Sequence, residues 1–151
     1  LIEAFDISHL GGTDTVASMV VFKDGKPFKS GYRKYNISVD QIDDFESMRE
    51  VVFRRYKRQL DEENPLPDLI LIDGGKGQLS SAKLSLDKLN LNLPIVALAK
   101  RLEELFIPGD SESLRIAKSS PALNLLKQLR DEAHRFAITF QRSKRKKRMF
   151  K

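Results

Sequence analysis

The run Leu69-Ile70-Leu71-Ile72 constrains this chain more than any other segment. Large apolar residues follow one another there without polar alternation, and Asp73-Gly74-Gly75 closes the run at once. A strand that is apolar on both faces must be covered on both faces, which marks a central parallel strand of an α/β sheet. Pro65 and Pro67 before it and the glycines after it hold it to strand length. A helical pattern stands on each side. Phe45, Met48, Val52, Tyr56 and Leu60 recur at spacings of three and four before the run, and Leu79, Ala82, Leu86 and Leu89 after it. Asp43 and Asp44 open the first of these helices, where acidic residues suit the helix dipole, and Arg54, Arg55, Lys57 and Arg58 lie toward its end.

The remaining elements fit around this unit. Residues 1–7 read as a strand ended by Ser8, His9 and Gly11-Gly12. Thr15 to Phe22 reads as a second strand, and Asp24-Gly25 is a tight hairpin signal leading to a third, through Tyr32 to Ile37. Pro94 opens a short strand from Ile95 to Leu98, and Gly109-Asp110 centres a small hairpin between Leu105 and Ile116. Ser120 and Pro121 suit the cap and first position of a last helix, with Ala122, Leu125, Leu126, Leu129, Ala133, Phe136, Ala137 and Phe140 as its apolar stripe. The expected fold is α/β: a mixed sheet, with a three-strand antiparallel part, parallel βαβ strands and flanking helices.

A chain of 151 residues suits one domain. It has no cysteine, which excludes disulfides and thiolate metal sites and permits a reducing cytoplasm. No apolar run reaches the ~18 residues of a membrane span. The chain opens on Leu1 without a signal-peptide layout and reads as a piece of a longer polypeptide. The net charge of +6 is localised: Arg142, Lys144, Arg145, Lys146, Lys147, Arg148 and Lys151 supply it, with no acidic residue among them. We therefore expect a domain over residues 1–140 and, over 141–151, a basic tail or linker. Such a segment either binds phosphate backbones or stays solvated.

Three residues stand out chemically. Asp6 interrupts a strand between Phe5 and Ile7, where aspartate is disfavoured and costly to bury unpaired. It reads equally as a functional carboxylate or as a strand-end residue bonded to the Gly11-Gly12 turn. Asp73 ends the central strand, where open α/β sheets gather ligands, although turn and capping aspartates are common. His134 lies about 120° from the centre of the last helix's stripe, on a flank shared with Lys127 and Arg130. A histidine placed so is commonly a boundary residue, yet it can also bind a metal or carry a proton near neutral pH. Two carboxylates and one imidazole would suit Mg2+ or Mn2+. Gly75-Lys76 is not a nucleotide phosphate loop, because Ile70 and Gly77 occupy the places that need Gly and Ser or Thr. Lys76 remains a candidate phosphate contact beside a helix N-terminus.

Several strings, taken in order, resemble the UvrC endonuclease domain family across nearly the whole chain. They are Phe5-Asp6-Ile7-Ser8-His9, Gly12-Thr13-Asp14-Thr15-Val16-Ala17-Ser18, Leu71-Ile72-Asp73-Gly74-Gly75-Lys76-Gly77-Gln78, Ala97-Leu98-Ala99-Lys100-Arg101 and Arg130-Asp131-Glu132-Ala133-His134-Arg135-Phe136-Ala137. The resemblance implies a ribonuclease H-like fold and a metal-binding site of Asp6, Asp73 and His134. It also implies an auxiliary acidic residue near the first helix, for which Asp44 is preferred to Asp43. It further implies 5′ incision of damaged double-stranded DNA in bacterial nucleotide excision repair, with UvrB as partner, in the cytoplasm. Lys76, Lys100, Arg101, Arg135, Arg142, Lys144 and Arg145 are the candidate DNA contacts. The competing expectation is a ribonuclease H-like DNA-binding module that has lost its chemistry.

Overall fold

The computed structural model describes residues 1–10, 14–37, 43–99, 104–110, 112–114 and 117–149. The strands are β1 (Ile2–Leu10), β2 (Asp14–Lys23), β3 (Lys26–Pro27), β4 (Arg33–Asn36), β5 (Leu69–Asp73), β6 (Ile95–Leu98) and β7 (Leu105–Phe106). The helices are α1 (Asp44–Asp61), α2 (Lys76–Lys88) and α3 (Pro121–Met149). All the strands join one mixed sheet in the order β3-β2-β1-β5-β6-β7, and β4 also pairs with β2. β1 is antiparallel to β2 and parallel to β5, β5 is parallel to β6, and β7 returns antiparallel. The expected mixed sheet is the one observed. Its central run is β5, with Ile70, Leu71 and Ile72 all buried.

Side-chain alternation along the strands divides the interior in two. Phe5, Ala17, Met19, Ile70 and Ile72 face α1 and α2, where Met48, Val52, Tyr56, Leu79 and Leu86 meet them. Ala4, Val20, Phe22, Leu71 and Leu98 face α3, against Leu123, Leu126, Leu129 and Ala133. The hairpin after β2 turns through Asp24 and Gly25, both with positive φ (53° and 79°). That backbone matches the twist of paired strands and explains why Asp-Gly sits there.

Two apolar stripes differ from expectation. In α1 Phe45 is 50% exposed and Val51 is buried in its stead. In α3 Ala122 is exposed while Leu123 is buried. In each helix the buried face is set a little off the stripe read from spacing. The C-terminal helix continues through Met149. At 1.5 Å per residue α3 is roughly 43 Å long, and residues 141–149 extend the same helix.

Candidate active site

The ladder between β1 and β5 ends on Phe5 paired with Ile72. One step further along both strands brings Asp6 beside Asp73, on neighbouring strands about 4.8 Å apart. Residues abreast in parallel strands share a face, and alternation assigns both aspartates to the α3 face, in line with Ala4 and Leu71. Two carboxylates abreast repel each other unless a cation or proton is shared between them.

α3 crosses this face and supplies the third group. His134 Nδ1 lies 3.7 Å from Asp6 Oδ2, with the imidazole half exposed and the Asp6 side chain 8% exposed. Residues from three distant parts of the chain are thus brought to the carboxyl edge of the central strands. The fold brings together Asp6 and His134 by contact and Asp6 and Asp73 by register. Among the described residues, however, no three His, Asp or Glu side chains already form a metal-ligating group. The carboxylate pair has the donor chemistry that Mg2+ or Mn2+ requires, and the imidazole flanks it. Beside the pair, Ser18 is matched with Asp6 across β1 and β2, and its fully buried hydroxyl has no hydrogen-bond partner among the described residues.

A cluster on α3 flanks His134. Tyr32 donates to Glu132 at 2.7 Å, and Arg135 donates to the same carboxylate at 2.6 and 2.8 Å. The Tyr32 and Phe136 rings meet edge to face with centroids 5.1 Å apart, and Lys34 Nζ stands 4.8 Å over the Phe136 ring. Hydrogen bonding from Arg135, and then from Tyr32, holds the Glu132 carboxyl below the usual carboxylate range against partial burial. Burial and the bond to Glu132 push the Tyr32 phenol up. Nothing in the sequence announces this cluster, because Tyr32 and Glu132 are 100 positions apart.

The UvrC RNase H endonuclease domain matches residues 1–138, the span that contains the whole arrangement. The chain belongs to that family. It is 60% identical over 149 residues to UvrABC system protein C of Flavobacterium johnsoniae, covering 97% of this chain and 25% of the relative. It is 57% identical over 148 residues to UvrABC system protein C of Methanospirillum hungatei, covering 97% and 28%. The chain thus spans about a quarter of the length of these curated relatives. Among solved structures it is similar to human ENDOV, with a TM-score of 0.46 at 19% identity, over 74% of this chain and 49% of that one.

Other residues of this UvrC-family domain are placed differently from the Asp6 cluster. Asp43 is the N-cap of α1 and accepts from the Phe45 and Glu46 amides. Asp44 instead meets His9, with Nε2 to Oδ1 at 2.5 Å, while His9 Nδ1 lies 3.1 Å from Thr15 Oγ1. His9 is an odd position of β1, so this pair lies on the α1 side of the sheet, opposite Asp6. The two adjacent acids thereby take different jobs, and alternation along β1 was the signal in the sequence that could have singled out His9. Of the candidate DNA contacts, Lys76 is exposed at the first residue of α2. Arg135 is exposed but already engaged by Glu132. Lys100 and Arg101 lie outside the described residues. Arg142, Lys144 and Arg145 fall in the outer part of α3, and their side chains lie outside the description.

Proposed function

We propose that this chain cuts the damaged strand on the 5′ side of a lesion in nucleotide excision repair, as a metal-dependent endodeoxyribonuclease. What supports the reading is the strand register that sets Asp6 beside Asp73, together with the 3.7 Å approach of His134 Nδ1 to Asp6 Oδ2. Asp6 and Asp73 would hold Mg2+ or Mn2+, which when bound supplies positive charge for the phosphate and acidifies an attacking water. His134, with Nδ1 3.7 Å from Asp6 Oδ2, would accept a proton through its imidazole as the phosphodiester is hydrolysed. Hydrolysis of this kind leaves a 3′-hydroxyl and a 5′-phosphate.

Damaged double-stranded DNA is the substrate, UvrB is the partner that the intact protein answers to, and the cytoplasm is the compartment. No described helix is long and apolar enough to cross a membrane. The outer part of α3 and Lys76 would hold phosphates through charge. The test is incision of a lesion-bearing duplex, with UvrA and UvrB, by the intact protein carrying Asp6→Ala or Asp73→Ala. Each variant should keep its fold and lose the 5′ cut; full cutting by either refutes the assignment. Binding of DNA by the wild type without Mn2+-dependent cutting would reduce the chain to a ribonuclease H-like binding module.

A further inference from the structure

The α1 pattern places Phe45 among the core residues, yet the ring is half exposed. It is nonetheless held from several sides. Asp43 caps the helix through the Phe45 and Glu46 amides, and Asp44 anchors the same turn to β1 through His9 at 2.5 Å. The ring itself packs against Gly77 in the first turn of α2. A Cβ on Gly77 would come within 2.5 Å of ring atoms Cε1 and Cζ, so only glycine lets the ring lie there. Gly77 follows Asp73 by four positions, at the same carboxyl edge as the candidate active site. A large aromatic face, fixed in place and half open to solvent, thus stands beside that edge. The N-termini of α1 and α2 open on the same side, where a phosphate backbone is favoured.

We propose that Phe45 is a base-stacking platform on the α1 side of the sheet's carboxyl edge that receives an unpaired nucleobase of the strand being cut, flanking the nucleotide whose phosphate reaches the carboxylates on the other face. The proposal rests on the nuclease reading above and adds a base-binding subsite to it. An aromatic ring accepts any of the bases through its π face, so the subsite holds the strand without selecting a sequence. Its occupant is single-stranded there, because a paired base presents its edge rather than its face.

The test compares two short single strands with the same phosphates, one carrying its bases and one fully abasic, binding to the whole chain at fixed salt. Phe45→Ala should weaken binding of the base-carrying strand roughly tenfold and leave the abasic strand unchanged. Phe45→Trp should keep wild-type affinity. Gly77→Ala leaves Phe45 in the sequence but displaces its ring, and should reproduce Phe45→Ala while favouring the helix. A 2-aminopurine in the strand should be quenched by the wild type and by Phe45→Trp only. Equal loss on both strands, or no loss on either, overturns the platform. Mn2+-dependent nicking of plasmid by the wild type is measured alongside. If nicking persists while the platform fails, the nuclease reading stands alone; if the wild type neither nicks nor binds, both fall.

Discussion

β1 buries an acid on each face of the sheet, and the two are treated in opposite ways. Glu3, on the α1 side, is 1% exposed and takes hydrogen bonds from Tyr56 at 2.7 Å and from Arg55 at 2.9 and 3.4 Å. Burial, and then the neighbouring Glu3 charge, push the Tyr56 phenol well up, so it stays a donor. Asp6, on the α3 side, stands 3.7 Å from an imidazole that is half in solvent, a separation too long for a hydrogen bond. An acid tied to a cation and a phenol is committed to holding β1 against α1. Asp6 stands instead at the carboxyl edge, abreast of a second carboxylate and beside an imidazole. Burial alone therefore does not mark a catalytic carboxylate; the character of its neighbours does.

The sharpest way to break this contrast is to remove each acid in turn. Asp6→Ala should lower Mn2+-dependent cleavage by on the order of 10³-fold, with the denaturant midpoint almost unmoved. Glu3→Ala should do the reverse. It leaves Arg55 buried without its carboxylate and should cost about 3–5 kcal/mol of unfolding free energy, while cleavage per folded molecule holds. Loss of cleavage without loss of stability in Glu3→Ala would erase the distinction. A smaller effect concerns the α3 cluster. Tyr32→Phe removes the donor to Glu132 and should cost about 1 kcal/mol in urea unfolding, with cleavage falling because His134 is less firmly placed.

The smallest effect is in the pH dependence. A carboxyl depressed in the folded state stabilises the fold above its unfolded value near ~4.3 and loses that contribution as pH falls through the folded value. Arg135 depresses Glu132 in this way. The stability gap between wild type and Glu132→Gln should therefore be widest at neutral pH and close below about pH 4. A gap that widens on acidification would show that Glu132 is not held by Arg135.

Much of this was legible from residue order because it rests on local pattern. The apolar run of β5, its terminating Asp73 and the glycines that follow gave the sheet its centre. The interruption of β1 by Asp6 flagged a residue that propensity could not explain. What stayed hidden depends on where elements end relative to one another. Phe45 satisfies the helical period and still stays half exposed, because its ring packs on Gly77 at the start of α2 and not on the sheet. Asp43 and Asp44 are neighbours that only the turn between them separates into a cap and a partner for His9. The Tyr32–Glu132 bond joins parts of the chain with no local signal in common.

α3 has one further consequence. Its inner part packs on the sheet, His134 sits near the end of that packing, and the same helix runs on through the basic stretch without interruption. Each residue added between the two parts would turn the outer stretch about 100° around the axis and carry it 1.5 Å outward. The bearing of the positive rod relative to the imidazole is thus set by counting residues, as the pitch of a screw sets the angle of its head.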